Sequence, residues 1–236
     1  LNCTAVLTTF PETIKEKFHG GKIRVGQSLN NVVNGFMSDR LRVILLSSFM
    51  FSAGFTFFTT FFGVYLRNKF SFSSSKIGDY FAIVGLCIAL SQGLVVGRVA
   101  KKLVDFKVLK FSMFGTGAMM LIYFLTPTTS SMYLYMVIPF FAIFNGLCMA
   151  NTSSLISRSA EMGKQGEAMG IYSSVSSLSQ VPAAVLVGYI TTSITSSQPL
   201  IVASVCIGIA GLSFVLLFKP KYVSGVVGAA DGMPVH

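Results

Sequence analysis

The sequence predicts an all-α polytopic membrane protein with six transmembrane helices. Three observations predict it. The chain of 236 residues is 53% hydrophobic and only 11% charged, with 22 Phe and a mean hydropathy of +0.71. A soluble domain carries about 25% charge. Apolar runs of about 20 residues, each long enough to cross a bilayer core, recur along almost the whole length. The Lys and Arg residues fall in the short segments between those runs. A β-barrel is excluded, because its strands would alternate in segments of roughly ten residues.

The formal net charge is +10. Its placement in short loops is the positive-inside signature of membrane topology, so no nucleic-acid partner is expected. The four cysteines are Cys3, Cys87, Cys148 and Cys206. They form no CxxC pair and three lie mid-span, which suits packing residues and excludes a disulfide framework or a metal site. His19 and His236 sit in polar flanks. No HExxH, no span histidine and no pair of mid-membrane acids is present, so neither an intramembrane enzyme nor a cofactor is expected.

Residues 1–13 read as the end of a preceding transmembrane helix, closed by Pro11, Glu12 and Thr13. The chain starts at Leu1 without a signal-peptide pattern, and the expectation is that a longer protein precedes it. Residues 14–42 are polar and basic, a cytoplasmic central linker. Its SLNNVVNGFMSDRLRV stretch is either a short surface helix or plain linker.

Residues 43–218 hold the six-helix bundle. The first span, roughly 43–66, carries Ser52, Thr56, Thr59 and Thr60 at spacings that put them on one helical face. Phe51, Phe55, Phe58 and Phe62 recur at helical spacing too and read as lipid-facing bulk. RNKFSFSSSK follows as an outer loop. The second span, roughly 77–97, holds Asp79, the sole acid inside any span, about one turn from the outer end. An intramembrane acid is a functional candidate by default. Near the outer end its expected role is gating or structure rather than proton coupling. Gly93 and Gly97 form a GxxxG that permits close helix approach.

A basic hairpin follows, with Arg98, Lys101, Lys102, Lys107 and Lys110. The third span, roughly 108–126, is closed by Pro127 and can face lipid. The fourth, roughly 132–155, contains Pro139, Asn145, Asn151 and Thr152. Asn145 must find a partner or water in hydrocarbon, since an unsatisfied polar group costs several kcal/mol; cavity lining and interhelical bonding both serve. The fifth, roughly 168–191, is the most polar, with Gly166 and Gly170 at its start, a serine run, and Gln180. These are expected to act in helix packing. The sixth, roughly 200–218, is aliphatic and can face lipid. Residues 219–236 form a cytoplasmic tail.

Orientation follows from the cations. Lys15, Lys17, Lys22, Arg24, Arg40, Arg42, the five hairpin cations, Arg158, Lys164, Lys219 and Lys221 fall on one side. Only Arg67, Lys69 and Lys76 fall on the other. That bias places both ends in the cytoplasm; the expected location is the plasma (inner) membrane. Tyr65, Tyr123, Tyr133, Tyr189 and Tyr222 lie near span ends, as interface anchors do.

Three stretches resemble the major facilitator superfamily, in particular its drug/proton antiporters of the tetracycline-efflux type. Pro11–Glu12–Thr13 looks like the end of that family's sixth helix. QGLVVGRVAKK at 92–102 resembles the second-half copy of the loop signature G-x-x-x-D-R-x-G-R-K. Gly93, Arg98, Lys101 and Lys102 match, while Gly97 and Ala100 replace the Asp and the second Gly. Residues 163–190 resemble the eleventh helix. The resemblance implies helices 7–12, one half of a twelve-helix transporter built from inverted repeats. It implies that the first and fourth spans line the cavity. The second and fifth would pack on an amino-terminal half that is missing here, and the third and sixth would face lipid.

Expected partners are thus a small-molecule substrate, the lipid bilayer, that missing six-helix half, and protons. The substrate-cavity candidates are Ser52, Thr56, Thr59, Thr60 and Asn145. The loop-signature candidates for gating are Gly93, Gly97, Arg98, Lys101 and Lys102. The expected function is secondary active transport, export of a small lipophilic or amphiphilic solute coupled to protons by alternating access. The alternative is a degenerate half-transporter or a membrane receptor that moves nothing.

Overall fold

In the computed structural model, residues 39–100, 105–128, 131–160, 165–193 and 198–218 are described. They form α1 (Asp39–Phe70), α2 (Ser74–Ser91), a π-helical segment (Gln92–Val96), α3 (Gly97–Ala100), α4 (Asp105–Leu125), α5 (Met132–Ser159), α6 (Gln165–Ser193) and α7 (Gln198–Leu217). Strands are absent among the described residues. The segments α2, π and α3 run on as one rod, so the six expected spans appear as six rods. Five of them are long and apolar enough to cross a membrane: Leu41–Phe70, Ser74–Val99, Phe106–Leu125, Met132–Ser159 and Gln198–Leu217. Helix α6 is 29 residues long. The chain is an all-α integral membrane bundle.

Local chemistry sets the helix ends. Ser71 adopts φ 55°, the left-handed region that terminates a helix, and Phe72 N–H donates back to Leu66 O at 3.4 Å. Ser73 then caps α2, its side chain accepting from the Lys76 N–H at 3.4 Å. Pro127 follows α4, where a helix cannot continue. Pro139 and Pro182 lie inside α5 and α6.

Helix α1 is central. It packs on α7, α6 and α5, while α4 packs on α5 and α7, and α2 on α5. The tight approaches are made at glycines the sequence does not flag. A Cβ on Gly54 would lie 2.8 Å from Ala203 O and 2.8 Å from Ile207 Cγ1 of α7. One on Gly117 would lie 3.4 Å from Ile207 Cγ2. Small residues let membrane helices approach in this way. By contrast, Gly93, Gly97, Gly166 and Gly170 have nothing within 4 Å among the described residues. The close approach expected at those two GxxxG pairs is therefore not made among the described residues.

The phenylalanines of α1 correct the sequence reading. Phe58 and Phe62 are 3% and 1% exposed and sit in the core, not against lipid. Phe58 stands 4.5 Å from the Phe62 ring, 5.2 Å from Phe141 and 5.8 Å from Tyr123. The expected interface anchors Tyr65 and Tyr123 are fully buried. The Tyr65 hydroxyl donates to Tyr123 O at 2.5 Å, and Tyr80 donates to the Tyr123 hydroxyl at 3.0 Å. Lys69 Nζ donates to Tyr65 Oη at 3.0 Å and to Phe124 O at 2.9 Å. The Tyr123 and Phe124 carbonyls belong to the last turn of α4, where a cation complements the dipole; Tyr123 O also accepts from Thr126 N–H at 3.3 Å. This network ties α1, α2 and α4 together at the end of the bundle where α1 turns into α2.

The faces left open are apolar. Leu86, Leu90 and Leu94 are exposed along the α2 rod, Phe111, Leu121 and Leu125 on α4, and Val205, Leu212 and Leu216 on α7. Two polar side chains of α4 turn inward. Ser112 and Thr116 are fully buried and donate to the carbonyls of Leu109 and Ser112.

Candidate solute cavity

A cavity of 260 Å³ opens between α1, α5 and α6. Its α1 wall is Ser48, Ser52, Thr56 and Thr59, with Phe51 and Phe55 beside them. Positions four, four and three residues apart put those hydroxyls on one face. Its α6 wall is Tyr172, Ser176 and Gln180, again one face at spacings of four, and α5 contributes Met149 and Thr152. Ser176 Oγ donates to Ser52 Oγ at 3.3 Å, bridging α1 and α6 across the cavity edge. The Phe51 and Phe55 rings lie nearly parallel, with centroids 6.4 Å apart and planes 4° apart. None of the lining side chains carries a formal charge.

The hydroxyls are mostly engaged with their own helices. Ser48 Oγ donates to Ile44 O at 2.6 Å, Thr56 Oγ1 to Ser52 O at 2.8 Å, and Thr59 Oγ1 to Thr56 O at 3.2 Å. Gln180 Nε2 donates to Ser176 O at 3.4 Å. Back-bonding of this kind hides a polar side chain inside an apolar span.

Of the five residues expected in the cavity, the structure brings together Ser52, Thr56 and Thr59. Thr60 is exposed but lies one residue further round α1, outside the lining. Asn145 is 1% exposed and is not part of this lining. It lies two turns before Thr152, about 10 Å along α5, where neighbouring Gly146 packs on Ser91 of α2. Its Oδ1 and the Ser91 Oγ are buried without a hydrogen-bond partner among the described residues. Gln180, expected in helix packing, is part of the lining. Ser176, in the serine run expected in helix packing, and Thr152, noted only as a polar residue of its span, are in the lining too, and Ser48 and Tyr172 join them with no prior expectation, although the fourfold spacing of Tyr172, Ser176 and Gln180 is legible in the sequence.

The gating candidates lie elsewhere. Arg98 donates from Nη1 to Leu94 O at 2.6 Å, one turn back, inside the π-helical stretch. Gly93 lies in that stretch and Gly97 caps it. Lys101 and Lys102 fall outside the described residues. Asp79 is exposed in the second turn of α2. Cys87, Cys148 and Cys206 are free thiols. No group of three His, Cys, Asp or Glu that could hold a metal occurs among the described residues.

The chain is similar to Hippocampus abundant transcript-like protein 1 of Rattus norvegicus, with 26% identity over 208 residues, 80% of this chain. It spans 38% of the length of that relative. The family model of the Major Facilitator Superfamily matches residues 4–184 and 44–232. Those matches cover most of the chain and agree with its all-α, membrane-crossing architecture. The chain belongs to the Major Facilitator Superfamily.

Proposed function

We propose that the chain is the carboxyl-terminal half, helices 7–12, of a secondary active transporter in the plasma membrane, with both its ends cytoplasmic. Its cavity would bind one small amphiphilic solute and expose it to alternate sides of the membrane. The observation that supports this most is the seam of hydroxyls and one amide that lines the cavity between α1, α5 and α6. Polar groups in hydrocarbon are costly and face cavities or partners.

The open faces of the α2 rod and α6 fit docking against an amino-terminal half. Gly93, Gly97, Gly166 and Gly170 all present uncovered backbone there, and small residues of that kind permit close packing. Export coupled to protons is the direction and driving force that the antiporter-like loop residues favour. Among the described residues Asp79 is the one acid well inside a span, and it lies at the outer end, so the coupling carboxylate belongs to the other half.

The test is reconstitution of the full reading frame that contains this chain into proteoliposomes. Solute efflux is measured with and without an imposed proton gradient. Flux that rises with the gradient supports the reading. Solute exchange indifferent to the gradient removes the proton and keeps the transporter.

A further inference from the structure

We infer that this cavity selects solutes that donate hydrogen bonds and carry no net negative charge, such as an organic amine or a polyhydroxylated compound with one apolar face. The inference rests on the transport reading for its biological role but on cavity chemistry for its content. A hydroxyl has one proton and two acceptor lone pairs. Ser48, Thr56 and Thr59 each spend that proton on a backbone carbonyl of their own helix. What they still offer a solute is acceptance. Gln180 commits one of its two amide N–H groups to Ser176 O and keeps its Oε1 as an acceptor.

The aromatic wall points the same way. The faces of Phe51 and Phe55 carry the negative side of the ring quadrupole and attract positive edges and cations. They also give an apolar solute face somewhere to lie. Nothing in the lining is positive. An anion entering would lose its hydration, a cost of several kcal/mol, without a compensating cation. The volume of 260 Å³ equals about nine water molecules at about 30 Å³ each, room for a small solute.

Three probes built on one phenyl ring separate the possibilities: 2-phenylethylammonium, 1-phenyl-1,2-ethanediol and phenylacetate. Equilibrium binding of each is measured on the purified full-length protein, on its Thr56→Val variant, and on Thr116→Val as a control. Thr116 makes the same kind of back-bond, to Ser112 O at 2.9 Å, but on α4 and away from the cavity. The expected result is binding of the amine and the diol but not phenylacetate, with Thr56→Val weakening both by about tenfold, the loss of one hydrogen bond. Thr116→Val leaves both unchanged. Phenylacetate binding as tightly as the amine, equal binding by Thr56→Val and the parent, or binding of none of the three overturns the selectivity. Proteoliposome exchange decides transport separately. A protein that exchanges phenylacetate keeps the transport reading and loses this one. A protein that binds the amine and exchanges nothing does the reverse.

Discussion

The Tyr65 hydroxyl donates to the main-chain carbonyl of Tyr123 across 2.5 Å, fastening the carboxyl-terminal end of α1 to the last turn of α4. Lys69 leans on the same phenol and caps Phe124 O one residue on. Tyr65→Phe keeps the ring and its packing but leaves the buried Tyr123 carbonyl without this donor. It should lower stability by about 1 kcal/mol, read as a lower midpoint in a detergent unfolding titration. An unchanged midpoint would mean the contact contributes nothing.

Phe58 touches three other rings within one cluster. Phe58→Ala should cost about 3 kcal/mol, as for a core aromatic, whereas Leu121→Ala on the exposed face of α4 should cost well under 1 kcal/mol. The same unfolding titration separates them. Equal costs would return Phe58 to the lipid-facing role the sequence suggested.

Glycines divide by what lies above them. Gly54→Ala drives a methyl against Ala203 O and Ile207 Cγ1, both at 2.8 Å, and should destabilise by about 1–3 kcal/mol through overpacking. Gly170→Ala meets nothing within 4 Å and should leave the stability of this bundle unchanged. If α6 docks on another helical half, Gly170→Ala should instead weaken that association, read by co-purification of the two halves expressed as separate chains.

Orientation has a direct check. Arg67 and Lys107 are both exposed and lie at opposite ends of the bundle. In a cysteine-depleted background, a membrane-impermeant maleimide applied to intact cells should label Arg67→Cys and leave Lys107→Cys unlabelled until the cells are permeabilised. The reverse pattern would invert the topology drawn from the positive charges.

The helices were legible because a bilayer demands apolar runs of fixed length. Their ends were less so. The first span was expected at 43–66 but α1 runs Asp39–Phe70, because charged residues at the interface stay helical after the apolar run stops. Which side of each helix faces inward was legible only where polar residues marked it. Ser52, Thr56 and Thr59 share the α1 wall of the cavity, while Thr60, one step round, lies outside it. Phe58 and Phe62 carried no such mark. Lipid is as apolar as a protein core, so a phenylalanine stripe reads alike on either side. The inward face of α6 needed its rotation about its own axis. Long-range packing on α1 sets that rotation, and it selects Tyr172, Ser176 and Gln180 from a run of similar polar residues. Asn145 was legible as a buried polar group but not as one at the α2 contact, since depth along α5 depends on where the α2 rod crosses it.

The most direct measurement is the water accessibility of position 56. Cys87, Cys148 and Cys206 are replaced by alanine, along with Cys3. A single cysteine is then placed either by Thr56→Cys in the cavity wall or by Leu212→Cys on the exposed apolar face of α7. Both variants are treated in native membranes with a charged, water-soluble thiol reagent. A solute path predicts that the cysteine at 56 reacts at least tenfold faster than the one at 212, and that a bound solute slows it. Equal, negligible rates at the two positions would mean that the cavity is dry and closed, and would contradict its role as the transport path.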